Sequence, residues 1–127
     1  MINDLTSSII GSAIKIHKEL GPGLLESVYK ECLAYELNKK GFFVEKEKPV
    51  PLIFEEVKLE CGYRLDLLIN NELIIEIKSV DGLADIHLAQ VFTYIKLMNK
   101  KYGLIINFNV VLLKDGIKRL INKYYKE

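Results

Sequence analysis

The chain is short of the residues that build metal fingers and disulfide frameworks: Cys32, Cys61, His17 and His87 are the only cysteines and histidines in 127 residues, and they stand apart. No C-x-x-C spacing or Cys/His cluster exists to hold zinc, so the histidines read as structural or peripheral and the cysteines as small buried hydrophobes in a reducing compartment. No run of about 18 apolar residues is present to span a bilayer. The opening MINDLTSSII also lacks the basic segment and apolar core of a secretion signal, so a cytoplasmic protein with no membrane partner is expected. Charge of one sign is missing too. The formal net charge is +1, so no overall field attracts a polyanion, although a local patch remains open. There are no repeats or low-complexity linkers, and 14.6 kDa suits a single domain over residues 1–127.

Half of the residues are hydrophobic and 28% are charged, the balance of a globular chain. Leu5, Ile9, Ile10, Ala13, Ile16 and Leu20 recur at helical spacing after a cap at Asp4 or Thr6, and Gly21-Pro22-Gly23 stops that helix. A second helix should run from about Leu24 to the lysines at 39 and 40, with Gly41 as its C-cap. The period then shortens. Residues 42–56, 57–69 and 72–80 read as three strands, the first suited to a sheet edge because Pro49 and Pro51 cannot donate to a ladder. A third helix follows over about Leu83 to Lys100, then a short buried strand from Tyr102. Asp115-Gly116 between apolar runs signals a hairpin to a terminal strand. The order ααβββαβ(β) favours an α/β (α+β) fold, a mixed central sheet flanked by helices.

Within LINNELIIEIKSV, residues 68–80, strand alternation puts Ile74, Glu76 and Lys78 on one face and Leu73, Ile75 and Ile77 on the other. In the preceding strand Leu65, Leu67 and Ile69 point one way and Arg64, Asp66 and Leu68 the other. A three-residue loop, Asn70 to Glu72, would set Asp66 opposite Glu76 and Arg64 opposite Lys78. Two neighbouring carboxylates in a partly buried site repel unless a proton or cation intervenes, and a hard cation such as Mg²⁺ takes oxygen ligands. A lone E-x-K on a strand more often marks a solvated face or a cross-strand ion pair. Two helices add context. Glu26 begins the second helix on the face continued by Tyr29, Leu33 and Leu37, where it is either a favourable N-terminal charge or a third acid aimed inward. Gln90 and Tyr94, four apart on the third helix, form either an ordinary half-buried pair or groups facing the acids.

These residues support a likeness. Gly23-Leu24-Leu25-Glu26-Ser27-Val28-Tyr29 resembles the pattern for which the GxxExxY protein family is named. Asp66 followed by Glu76-Ile77-Lys78 on the next strand resembles the signature of the PD-(D/E)XK, or restriction-endonuclease-like, nuclease superfamily. The Gln90/Tyr94 spacing is similar to the Q-x-x-x-Y motif of exonuclease domains attached to bacterial recombination helicases. Leu65 stands where the superfamily pattern has proline, a position its chemistry does not require.

The resemblance implies a restriction-endonuclease-like core and Mg²⁺-dependent hydrolysis of phosphodiester bonds, with Mn²⁺ able to substitute. It implies a nucleic-acid partner, DNA before RNA, and leaves a homodimer open. Asp66, Glu76, the Ile77 carbonyl and Glu26 would hold or orient the metal and its water. Lys78 would act on that water or on the phosphate; Gln90, Tyr94, Tyr29 and Arg64 would position substrate. A fold can outlive its activity. The alternatives are an inactive nucleic-acid-binding or assembly module with the same fold, and a structural protein in which Asp66, Glu76 and Lys78 form an internal ion-pair network.

Overall fold

The computed structural model describes residues 2–59 and 62–127. Helices α1 (Ile2–Leu20) and α2 (Glu26–Lys39) are followed by β1 (Val44–Pro49), a small hairpin of β2 (Leu52–Phe54) and β3 (Val57–Leu59), then β4 (Arg64–Ile69) and β5 (Leu73–Lys78). Helix α3 (Asp85–Leu97), β6 (Tyr102–Asn107), a 3-10 turn (Leu113–Gly116) and β7 (Ile117–Ile121) complete the order. Five strands form one sheet in the order β1-β4-β5-β6-β7, antiparallel except for the β5–β6 pair that α3 connects. The mixed sheet flanked by helices is the expected class.

Each face of the sheet has its own core. Leu67, Ile69, Ile75, Ile77, Leu104 and Ile106 pack under α1 and α2 against Ile9, Leu33 and Leu37. Leu68, Ile74 and Ile105 pack under α3 against Val91, Tyr94 and Ile95. Gly103 lets α3 approach, because a Cβ there would lie 2.5 Å from the Ile95 Cδ1. Helix α2 ends as the sequence suggests: Gly41 takes φ +89°, and the amides of Gly41 and Phe42 return to the carbonyls of Asn38 and Leu37, closing a Schellman motif.

Several expectations need correction. Asp4 and Thr6 lie inside α1 and cap nothing at its start, and α2 and α3 are shorter than their apolar patterns suggested, beginning at Glu26 and Asp85. Residues 42–56 are two strands, not one. β1 occupies the sheet edge up to Pro49, as that proline suggests, but the chain then leaves the sheet through Pro51 to form β2. Residues 57–69 likewise divide into β3, which pairs only with β2, and β4. Asp115-Gly116 is not a tight hairpin turn: β7 pairs antiparallel with β6, but residues 108–116 connect them and the Asp-Gly pair closes a 3-10 turn. Leu65 departs from strict alternation. It joins Leu68 and Ile74 on the α3 side because the β1–β4 ladder skips Glu47 and Asp66, where Glu47 takes φ 50°.

Candidate functional site

The three-residue loop forms as the spacing predicts, with Asn70 and Asn71 both at positive φ and the Glu72 amide returned to the Ile69 carbonyl. Its register pairs Ile69 with Leu73, Leu68 with Ile74 and Leu67 with Ile75. Beyond Leu67 the two strands part. β4 stays with β1 as far as the Arg64–Pro49 pair, and β5 stays with β6 as far as Lys78–Asn107. Arg64 therefore does not pair with Lys78, a correction to the simple hairpin. The sheet opens as a fork held from both sides, and Asp66 and Glu76 stand in its crotch.

The carboxylates replace the missing ladder. The Asp66 amide donates to Glu76 Oε2 at 2.7 Å and the Ile77 amide donates to Asp66 Oδ2 at 2.8 Å. Each acid thus commits one oxygen to the backbone and keeps the other available. A strand residue directs its N–H and C=O toward the same neighbour, so the Ile77 amide bond also turns the Ile77 carbonyl into the fork. The Lys78 carbonyl, one residue on, accepts from Phe108 on the opposite side, as alternation demands.

Both acids resist ionising. Burial pushes the Asp66 carboxyl up, against the Ile77 amide that favours its charge. Glu76, only 5% exposed, is pushed up to about 8 by burial and then by repulsion from Asp66. Two acids in contact with a shared, poorly solvated space form a place where positive charge is stabilised.

Glu26 reaches the rim of this space. It is exposed at the first turn of α2 and accepts from the Ser79 amide at 3.4 Å, while the Ser79 hydroxyl donates to the Leu24 carbonyl at 2.6 Å. These bonds tie the start of α2 to the end of β5. Glu26 is near enough to disfavour ionisation of both acids. The three do not close into a cage: among the described residues no group of three or more His, Cys, Asp or Glu could hold an ion.

Tyr29 lies elsewhere than its sequence role suggests. It is fully buried, stacks on Phe108 with ring centroids 4.3 Å apart, donates to the Gly21 carbonyl at 2.6 Å and accepts from the Leu24 amide at 3.1 Å. With its hydroxyl committed to the Gly-Pro-Gly turn, it positions the loop that carries Glu26 and is not itself presented to substrate.

Lys78 is half-buried and its charge favours ionisation of both acids. None of the ion pairs among the described residues includes Asp66, Glu76 or Lys78. Tyr94 approaches from α3; burial raises its hydroxyl pKa, and Glu76 and then Tyr63 and Asp66 add to the effect. Gln90 is exposed one turn earlier on α3. Arg64 is exposed and donates to the Glu47 carbonyl at 3.3 Å.

Two participants escaped the sequence reading. Lys30 favours the charged form of Asp66 and pairs with Glu47 at 3.4 Å. Its signal was the four-residue spacing from Glu26, which puts both on one face of α2. Asn107 is buried at the end of β6 and bonds both the amide and the carbonyl of Val80, fixing the chain after Lys78. An asparagine inside the apolar run YGLIINF was the available clue. The histidines are structural as expected: His17 meets the Val110 carbonyl at 2.8 Å and His87 accepts the Ala84 amide at 3.0 Å to cap α3.

A divalent cation fits this donor set. The available groups are hard oxygens, two of them on acids whose burial disfavours charge in its absence, and a site with two protein carboxylates leaves positions for water and phosphate oxygens. Residues 3–120 match the PD-(D/E)XK nuclease superfamily, and the chain belongs to it. No curated protein and no solved structure matches the chain.

Proposed function

We propose that the protein hydrolyses phosphodiester bonds of nucleic acid, DNA before RNA, with Mg²⁺ or Mn²⁺ held at the fork. The reading rests above all on the amide bonds of Asp66 and Glu76, which hold the two acids together at the fork and leave one oxygen of each without a backbone partner. Those two oxygens and the Ile77 carbonyl would hold the metal, with Glu26 reaching its water from the rim. The ion supplies charge stabilisation at the scissile phosphate and acidifies a bound water. Burial disfavours charge on Asp66 and Glu76, and a bound cation would stabilise their ionised forms. Lys78 orients the attacking water or neutralises charge on the phosphate. Gln90 and Arg64, both exposed, hold substrate beside the acids, and Tyr94 buttresses Glu76.

Charge segregation supports a polyanion partner. Residues 96–127 carry eight Lys and Arg against two Asp and Glu, despite the net charge of +1. No ion pair among the described residues uses any of these eight, so they remain available to phosphates. The Gly23–Tyr29 pattern supports the narrower likeness to GxxExxY proteins: its glycine takes φ +94°, its glutamate reaches the rim and its tyrosine fixes the turn. A reducing, cytoplasmic setting accords with the free thiol of Cys32; Cys61 lies outside the described residues. No helix among the described residues is long and apolar enough to cross a membrane. A homodimer remains an assembly to be tested by sedimentation.

Incubating single-stranded, double-stranded and branched DNA and RNA with Mg²⁺, Mn²⁺ or EDTA tests this reading. Metal-dependent cleavage lost in Glu76→Gln is expected. Tight binding without cleavage of any substrate would favour the inactive binding module.

A further inference from the structure

We propose that the cavity beneath the β2–β3 hairpin accepts an unpaired nucleobase, so that the preferred substrate has a single-stranded segment beside the scissile phosphate. This deepens the phosphodiesterase reading of the fork and rests on it for the chemistry; the cavity itself is a separate binding site.

The cavity, about 600 Å³, lies between the hairpin and the open end of β4. Its apolar wall includes Val50 and Leu52, and Lys58, Tyr63 and Arg64 complete the lining. The described lining residues join an apolar surface to two cations and an aromatic ring. Tyr63 is 49% exposed, which leaves ring surface open to stacking. A base presents an apolar face to such a ring while its phosphate meets the cations, and this pairing of aromatic and basic groups suits single strands of any sequence. In a duplex the same face is already covered by neighbouring bases.

The cavity lies beside the fork along β4, through Arg64. Arg64 is two residues before Asp66 on β4, a separation of about 7 Å at strand rise. The Tyr63 ring lies 6.4 Å from that of Tyr94, whose hydroxyl senses both acids. A strand with one base on Tyr63 and its phosphate on Arg64 therefore leads toward Asp66 and Glu76. The hairpin that lines the cavity is a separate two-stranded sheet and exposes Ile53 and Phe54.

The test is fluorescence anisotropy in EDTA, so that binding is read without metal or cleavage, using a labelled short single strand, the blunt duplex of the same sequence, and that duplex with a single-stranded tail. Wild type should bind the single strand and tailed duplex more tightly than the blunt duplex. Tyr63→Ala should weaken the first two by about 5- to 100-fold, the effect of one lost base–aromatic stack, and the blunt duplex by less than about twofold. Tyr63→Phe keeps the ring and should restore binding. Equal losses on all three probes, no loss on any, or failure of Tyr63→Phe to rescue would overturn the proposal. So would sedimentation showing a dimer that Tyr63→Ala dissociates, since a second copy would then cover the cavity. Metal-dependent cleavage of the single strand and tailed duplex at subsaturating concentration, unchanged in Tyr63→Ala, would overturn the cavity assignment while leaving the fork intact.

Discussion

Asp66 and Glu76 hold each other's strands where the ladder ends: the Asp66 amide donates to the Glu76 carboxylate, and the Asp66 carboxylate accepts from Ile77, the residue after Glu76. The arrangement keeps two acids in contact although burial opposes charge on both. Its cost in the metal-free protein is the source of the first two predictions.

Asp66→Asn and Glu76→Gln retain an oxygen that can accept the same amide while removing the repulsion. Each variant should be as stable as wild type or more so, and should lose stabilisation by Mg²⁺. Thermal melts with and without Mg²⁺ check this. A loss of several kcal/mol on neutralisation would instead mark a structural ion-pair network.

Proton linkage gives the second. Glu76 titrates at about 8 in the folded chain against an ordinary value of 4.5, and Asp66 is shifted in the same direction. The folded state binds the extra proton between these values, so metal-free stability should be greatest toward the acid end and fall as pH rises toward about 8. Saturating Mg²⁺, which stabilises the ionised acids, should flatten that decline. Chemical denaturation across the range measures both curves; a metal-free stability that climbs between pH 5 and 8 would contradict the assignment.

Lys78 should separate catalysis from binding. Lys78→Ala should retain metal and nucleic-acid binding, with a salt slope changed by about 1 at most, yet cleave on the order of 10² times more slowly. Lys78→Arg should not recover the rate, since a planar guanidinium is a poor substitute for a compact ammonium. Single-turnover kinetics beside anisotropy distinguish the two effects. Equal cleavage by Lys78→Ala and wild type would remove Lys78 from the chemistry.

Tyr29→Phe should act through the turn. Losing the bonds to Gly21 and Leu24 should cost about 1–3 kcal/mol and loosen the segment carrying Glu26. Denaturant unfolding measures the first effect, and faster amide exchange at Leu24 the second. Unchanged stability and exchange would show that the hydroxyl bonds do not hold the turn.

The central features of this fold were legible because they follow from local rules. Loop length fixed the register of β4 on β5 up to Leu67 and Ile75, which puts Asp66 and Glu76 next in line at the fork. The two prolines identified the edge strand. Other features depend on tertiary packing. Nothing local announces that the strands part after Leu67, because outer partners β1 and β6 hold them there. The turn of Leu65 onto the α3 face goes with the break in the β1–β4 ladder at Glu47 and Asp66, and alternation alone mispredicts it. The structural place of Tyr29 depends on Phe108, distant in sequence, which stacks on its ring. Lys30 and Asn107 gain their places only when α2 and β6 converge on the ends of β4 and β5.

The most direct measurement is calorimetric titration of Mg²⁺ and Mn²⁺ into wild type, Glu76→Gln and Asp66→Asn at pH 8 in buffers of different ionisation enthalpy. One or two ions should bind wild type with release of protons, and binding should be lost or greatly weakened in both variants. No binding to wild type, or equal binding to all three proteins, would contradict the assignment of the fork as a metal centre.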